Sequence, residues 1–254
     1  MPSGSLAIDA DGLTKRFGSA TVVDGVDLAV PRGSVYGFLG PNGAGKTTTM
    51  RMLTTLTRPT AGTASIDGAP ITDRDAVRDR IGYLPETPPV FDELTGLEQL
   101  QYVARLRDVP GETAAERIDY WLERFDLADD AGKRIGDYSK GMTQKIGLVG
   151  ALVHEPAVIF LDEPTSGLDP RAARTVIDAI AEMAAAGHTV FLSTHILPVV
   201  EELADVVGVL ADGYLVAEGP PDELTAQLEQ GGDSTLEDVF LAVTTDHGSR
   251  ARQV

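Results

Sequence analysis

Val35-Tyr-Gly-Phe-Leu39 runs straight into Gly40-Pro-Asn-Gly-Ala-Gly-Lys-Thr-Thr48, and this stretch decides the fold. The first part reads as a buried strand. The glycine-rich turn follows, and a helix is expected from about Lys46 to Leu56. Gly40 to Thr47 satisfies G-x-x-x-x-G-K-T in the strand–turn–helix context that gives the pattern its meaning. Glycines let backbone N–H groups turn inward around phosphate oxygens, and the helix N-terminus adds a partial positive charge. Gly40, Pro41, Asn42, Gly43, Ala44, Gly45, Lys46, Thr47 and Thr48 are therefore candidates for a phosphate cradle. Within it, Lys46 can reach the β- and γ-phosphates and the Thr47 hydroxyl can hold Mg²⁺.

A second signal lies 162 − 46 = 116 residues beyond the lysine, where the apolar run Val158-Ile-Phe-Leu161 ends in Asp162-Glu163. Asp162 is placed to hold Mg²⁺, directly or through water, and Glu163 to orient or deprotonate an attacking water. Adjacent strand residues point to opposite faces. Both carboxylates can address one site only if the chain turns at the strand's end.

Outward from these two points, residues 6–36 read as short strands and turns, and Ala64–Gly68 as another strand and turn, with Thr60-Ala-Gly62 ending the first helix. Residues 88–150 form a mostly helical insertion, with helices expected over 94–107, 114–125 and 140–153. Strands are expected again at 158–161 and 189–192, and helices at 172–186, 198–204 and 221–230. Asp212-Gly213 turns a hairpin between 206–210 and 214–218. Strands alternating with helices imply an α/β fold with a parallel sheet and a ligand at the strands' C-terminal ends.

The chain has 254 residues, no cysteine, and 39 acidic against 21 basic residues, for a net charge of −18. No disulfide or thiolate metal site is available. The N-terminus does not read as a signal peptide, and no apolar run of about 18 residues spans a membrane. Any membrane crossing falls to other chains. The charge repels nucleic acid and anionic lipid. Only five of the basic residues are lysine, and acid excess with scarce lysine resembles proteins of organisms with molar internal salt, such as a halophilic archaeon. An acidic protein of an ordinary organism is the plainer alternative.

The conjunction of motifs resembles the nucleotide-binding domain of the ATP-binding-cassette (ABC) transporter family over about residues 6–243. Tyr138-Ser-Lys-Gly-Met142 is similar to its signature, Ser166-Gly-Leu-Asp169 to its loop after the paired carboxylates, and Ser193-Thr-His195 to its switch histidine. The resemblance implies one ATPase domain over 1–243 with a loose tail at 244–254. That domain would be a P-loop NTPase (RecA-like) parallel-sheet core with an N-terminal antiparallel β subdomain and an inserted α-helical subdomain. It implies ATP and Mg²⁺, and a head-to-tail homodimer or pseudo-dimer. Each ATP would lie between Lys46 of one subunit and Ser139 and Gly141 of the other. His195 would contact the γ-phosphate, Asp169 would organise the dimer seam, and Phe17 would stack on adenine unless it is a core phenylalanine. Ile81-Gly-Tyr-Leu-Pro-Glu86 resembles the family's Q-loop with glutamate for glutamine. Glu86 can ligate Mg²⁺ but, while ionised, donates no hydrogen bond. Lys140 and Met142 replace a glycine and the glutamine of the signature.

These variants, with Thr235-Leu-Glu-Asp-Val-Phe240, resemble the type-2 exporter branch, which moves drugs, sodium and lipid-linked saccharides. The implied function is the ATP-hydrolysing subunit of a transporter, cytoplasmic and peripheral on the inner membrane face. The helices after Glu86 would offer a groove to a cytoplasmic helix of a separate permease. A soluble ABC ATPase acting on ribosomes or DNA is the alternative. Its translation factors carry two cassettes in one chain, and its DNA-repair members need a coiled coil that 116 residues cannot hold. A small GTPase would need an Asn-Lys-x-Asp motif, which the sequence lacks. Cargo and permease are not written in this chain.

Overall fold

A computed structural model describes residues 6–226 and 235–242. Two long strands open the chain, β1 (Leu6–Phe17) and β2 (Ala20–Pro31), paired antiparallel. With β4 (Ala61–Ile66) and β5 (Ala69–Pro70) they make an antiparallel sheet in the order β2-β1-β4-β5.

The second sheet holds β3 (Val35–Leu39), β6 (Ile81–Leu84), β7 (Val158–Asp162), β8 (Thr189–Thr194), β9 (Val206–Ala211) and β10 (Tyr214–Gly219). Its order is β10-β9-β3-β8-β7-β6, with β10 antiparallel to β9 and every other pair parallel. Its central strands are buried on both faces, which is why they read as unbroken apolar runs. Alternation still sorts them. Tyr36, Phe38, Phe160 and Phe191 face α1 (Lys46–Leu53) and the antiparallel sheet. Val35, Ile159, Leu161 and Leu192 face α5 (Lys140–Leu152) and α6 (Pro170–Ala185). Phe191 is the hub of the first cluster, with ring centroids 5.2 Å from Tyr36, 5.2 Å from Phe38 and 5.5 Å from Phe160. Such pairs add about 0.5–1.5 kcal/mol each beyond their burial and hold the three strands that carry the site in register.

The helical part comprises α3 (Gly96–Leu106), α4 (Gly111–Arg124) and α5, packed through Leu100, Ile118, Leu122 and Ile146. Thr95 caps α3 in a reciprocal box with Glu98. The remaining helices are α2 (Arg74–Arg78), α7 (Leu197–Leu203), α8 (Pro221–Ala226) and a helix over residues 236–242.

Several sequence expectations need correction. The helix after the phosphate loop stops at Leu53, where Thr54 caps it, and Ala61–Gly62 belong to β4. α2 and β6 were not expected as elements. The helix expected over 221–230 is seen to Ala226, and its remainder and the 244–254 tail lie outside the described residues.

Candidate functional site

The site lies where β3, β7 and β8 end on one side of the parallel sheet. The glycine-rich turn leaves β3 and closes on α1. Gly45 caps the helix at φ +110, a conformation only glycine adopts without strain, and offers no side chain to the helix amides. A Cβ there would lie 2.7 Å from the Val22 carbonyl oxygen, so the turn is wedged against β2. Lys46 is buried, and its Nζ donates to the Gly40 carbonyl at 2.7 Å.

Opposite the ammonium stands Glu163, and Asp162 ends β7 just before it. Glu163 has φ +49, a left-handed conformation rare for a residue with a side chain. This reversal is a turn at the strand's end, of the kind the sequence argument required, and it sets Glu163 against Lys46. Glu163 lies 3.5 Å from Lys46 Nζ through one oxygen. Its other oxygen accepts from Thr194 Oγ1 at 3.3 Å and meets His195 Nδ1 at 2.9 Å. Asp162 is 1% exposed. Its Oδ1 accepts from Ser193 Oγ, and its Oδ2 is buried with no hydrogen-bond partner. An unpaired buried carboxylate oxygen is costly unless a cation or donor meets it. On the neighbouring strand, burial and then the Asp162 charge push the Tyr83 hydroxyl up to about 12, so it stays protonated.

A cleft of about 420 Å³ joins the loop to these groups. Pro41, Asn42, Gly43, Gly45, Lys46, Thr47 and Thr48 line one wall, and Glu86, Glu163, Ser166 and His195 the other. The structure thus brings together most of the residues singled out from the sequence. It adds Ser166, Ser193 and Thr194, which lay in the quoted motifs but had not been given a role. Ser193-Thr-His195 at a strand's end was the available signal.

Gly40, Ala44 and Asp162 adjoin lining residues in the chain but do not line this cleft themselves, and neither do Ser139, Gly141, Asp169 and Phe17. Ser139 caps α5 and accepts from the Met142 amide at 3.3 Å. Asp169 caps α6 and accepts from the Arg171 and Ala172 amides at 3.0 Å, bonds that hold its carboxyl below the usual range. Gly141 packs against the start of α6, where a Cβ on it would lie 3.3 Å from that of Ala172. Phe17 is 54% exposed at the end of β1, with Lys15 Nζ 4.9 Å above its ring, so it is not a core residue.

A glycine loop wedged between strand and helix, a lysine inside it and a strand-end carboxylate pair whose Glu163 faces that lysine define a P-loop nucleoside triphosphatase. Residues 23–166 match the family described as ABC transporter. The chain belongs to that family, as an ATP-hydrolysing nucleotide-binding subunit. It is 46% identical over 228 residues to a daunorubicin resistance ATP-binding protein of Streptomyces coeruleorubidus, covering 89% of this chain and 72% of that one. It is 39% identical to a bacitracin transport ATP-binding protein of Enterococcus faecalis, over 85% and 70% of the two chains. A solved ATP-binding subunit of an ABC transporter superposes with a TM-score of 0.87 at 32% identity, over 94% of this chain and all of that one.

Proposed function

We propose that this subunit couples ATP hydrolysis to export of an organic cargo through separate transmembrane permease subunits. In this reading it works as a head-to-tail dimer, with itself or with a second ATPase subunit, on the inner face of the membrane, as one domain over 1–243. The observation that carries the reading is Glu163, turned at the end of β7 by its left-handed backbone to face Lys46 across the cleft, with Asp162 buried just before it.

The loop amides and Lys46 grip the β- and γ-phosphates of ATP. Glu163, poised between Thr194 and His195, orients a water in line with the γ-phosphate and takes its proton. His195 stands beside the γ-phosphate. The donor set suits Mg²⁺, since Asp162 Oδ2 is an unpaired buried oxygen and the Thr47 hydroxyl and Glu86 carboxylate are further hard donors. When bound, Mg²⁺ would offset the charge on the β- and γ-phosphates. The cleft opens to solvent, and Ser139, Gly141 and Asp169 sit elsewhere on the same chain. They would therefore serve a partner's nucleotide, with Phe17 against the adenine.

No helix among the described residues is long and apolar enough to cross a membrane, in keeping with separate permease chains. Phe91, Tyr102 and Leu106 are exposed large apolar side chains along a groove between α3 and α5 that would receive a permease helix. The drug-resistance relative supports export over import.

Glu163→Gln tests the reading. Turnover should fall at least about a hundredfold, the weight of a positioned general base, while ATP binding persists. Wild-type turnover in that variant would refute the assignment of the base.

A further inference from the structure

We infer that Gln144 is a positioning residue for hydrolysis: its side-chain amide bonds the Thr165 hydroxyl when ATP draws the cleft together, and so braces the loop that leaves Glu163. The inference rests on the reading of Glu163 as the base and concerns residues that reading does not use.

Among the described residues, four buried side-chain atoms have no hydrogen-bond partner: Gln144 Nε2, His154 Nδ1, Asp162 Oδ2 and Thr165 Oγ1. Asp162 is already assigned to the metal, and His154 lies beyond the far end of α5. Gln144 and Thr165 remain, 3% and 5% exposed. Buried polar groups are nearly always paired, and one left alone carries its full desolvation penalty.

The helix places the two at one junction. Residues 140, 144 and 147 are spaced i, i+4, i+7 and share one face of α5. At one end of this stripe Lys140 lies against Gly167, where a Cβ would meet its Nζ. At the other end Gly147 lies against β6 and the chain after Glu86, where a Cβ would be 2.8 Å from Leu84 Cδ1 and 2.7 Å from Pro88 Cβ. Gln144 sits between, where α5 meets the two segments that carry Glu163 and Glu86. Thr165 belongs to the first of these, two residues before Gly167. A hydroxyl both donates and accepts, so it can pair with the amide in either orientation.

Thr165 also stands in the turn that starts at Glu163. The Glu163 carbonyl accepts from the Ser166 amide at 3.1 Å, and the Thr165 carbonyl from the Leu168 amide at 3.3 Å. On its other side Glu163 is held by β8 and His195, through the Ser193 carbonyl and the Thr194 and His195 side chains. The Thr165 side chain has no such hold, and Gln144 is the group on α5 placed to supply it.

The test measures steady-state ATP hydrolysis by the full-length chain and by Gln144→Met, Thr165→Val, the double variant and Thr165→Ser. Methionine and valine keep the approximate size of the side chains they replace and remove the bond. Each should lower kcat about fivefold, the net weight of one hydrogen bond, with KM for ATP unchanged. The double variant should be no slower than either single one, since both remove the same bond. Thr165→Ser keeps the hydroxyl and should stay close to wild type. Urea midpoints measured without nucleotide should hold or rise, because an unpaired buried polar group gives way to an apolar one. Wild-type kcat in the single variants, a loss that falls on KM instead, additive losses in the double variant, or a midpoint that drops in step with kcat would each overturn the inference. Glu163→Gln runs beside them as the control. If it turns over at the wild-type rate, the base assignment fails and the role of Gln144 with it.

Discussion

His154 should impose a pH limit on this fold that can be worked out from its surroundings. It follows α5, and its Nε2 lies 2.9 Å from the Ile81 carbonyl oxygen. That oxygen can only accept, so Nε2 carries the proton and Nδ1 presents a lone pair, buried without a partner. Protonating Nδ1 would bury a second N–H and a charge. Burial first, and then the nearby Arg107 and Arg117 charges, push the imidazole down from 6.5 to about 4, with the Ile81 bond and then Asp79 pulling the other way. At pH 7 the group is neutral folded or unfolded and costs nothing. As pH falls through 6.5 the unfolded chain takes up a proton that the folded chain refuses until about pH 4, so stability drops across that window. The gap of about 2.5 units, at 1.36 kcal/mol each, amounts to roughly 3 kcal/mol.

Glutamine can keep the bond to Ile81 through its amide but does not titrate. Urea unfolding of the wild-type chain and of His154→Gln at several pH values between 7 and 4 isolates the effect. The two curves share every other titration, including the relief of self-repulsion as carboxylates protonate. The stability difference should move in the variant's favour by about 3 kcal/mol from pH 7 to pH 4. A difference that stays constant over that range would show that His154 is not the group responsible. The bond joins β6, which leads to Glu86, to the segment just after α5.

Gly45→Ala places a side chain at φ +110 against the Val22 carbonyl, and should cost at least about 2 kcal/mol in unfolding free energy. It should also abolish nucleotide binding, and a variant with normal melting and normal ATP affinity would show that the turn is not under this constraint. Phe17→Ala should weaken ATP binding by about 1 kcal/mol or more, with Phe17→Trp restoring it, if the exposed ring stacks on adenine. Fluorescent-nucleotide titration reads this directly, and equal affinities for all three would place the base elsewhere. The −18 charge gives a third outcome, a melting temperature that climbs from dilute to molar KCl as self-repulsion is screened. A flat or falling response would count against an origin in a salt-rich cell.

The phosphate loop was legible because its chemistry is local. Glycines, a lysine and a threonine at fixed spacing, after one strand and before one helix, do their work within a dozen residues. β6 was not, and the reason is visible in Gly82. A strand of four residues with glycine second carries almost no propensity signal. Yet a Cβ there would collide with the Ala151 carbonyl oxygen, so the glycine is what lets α5 lie against the sheet. That approach is a tertiary fact, and sequence registers it only as a weak strand. Glu163 shows the same limit inside the site. Both carboxylates were found, and the need for a turn between them was clear. The turn itself is a left-handed glutamate, which no local preference would choose. It is sustained from outside the segment, by the Ser193 carbonyl accepting the Glu163 amide at 2.9 Å and by Thr194 and His195 on the carboxylate. A residue held against its own preference by three groups of the next strand has its carboxylate aimed before any nucleotide arrives. Loosening β8 should therefore impair hydrolysis more than nucleotide binding, because the phosphate loop depends on β3 and α1 for its shape and the aim of Glu163 depends on β8.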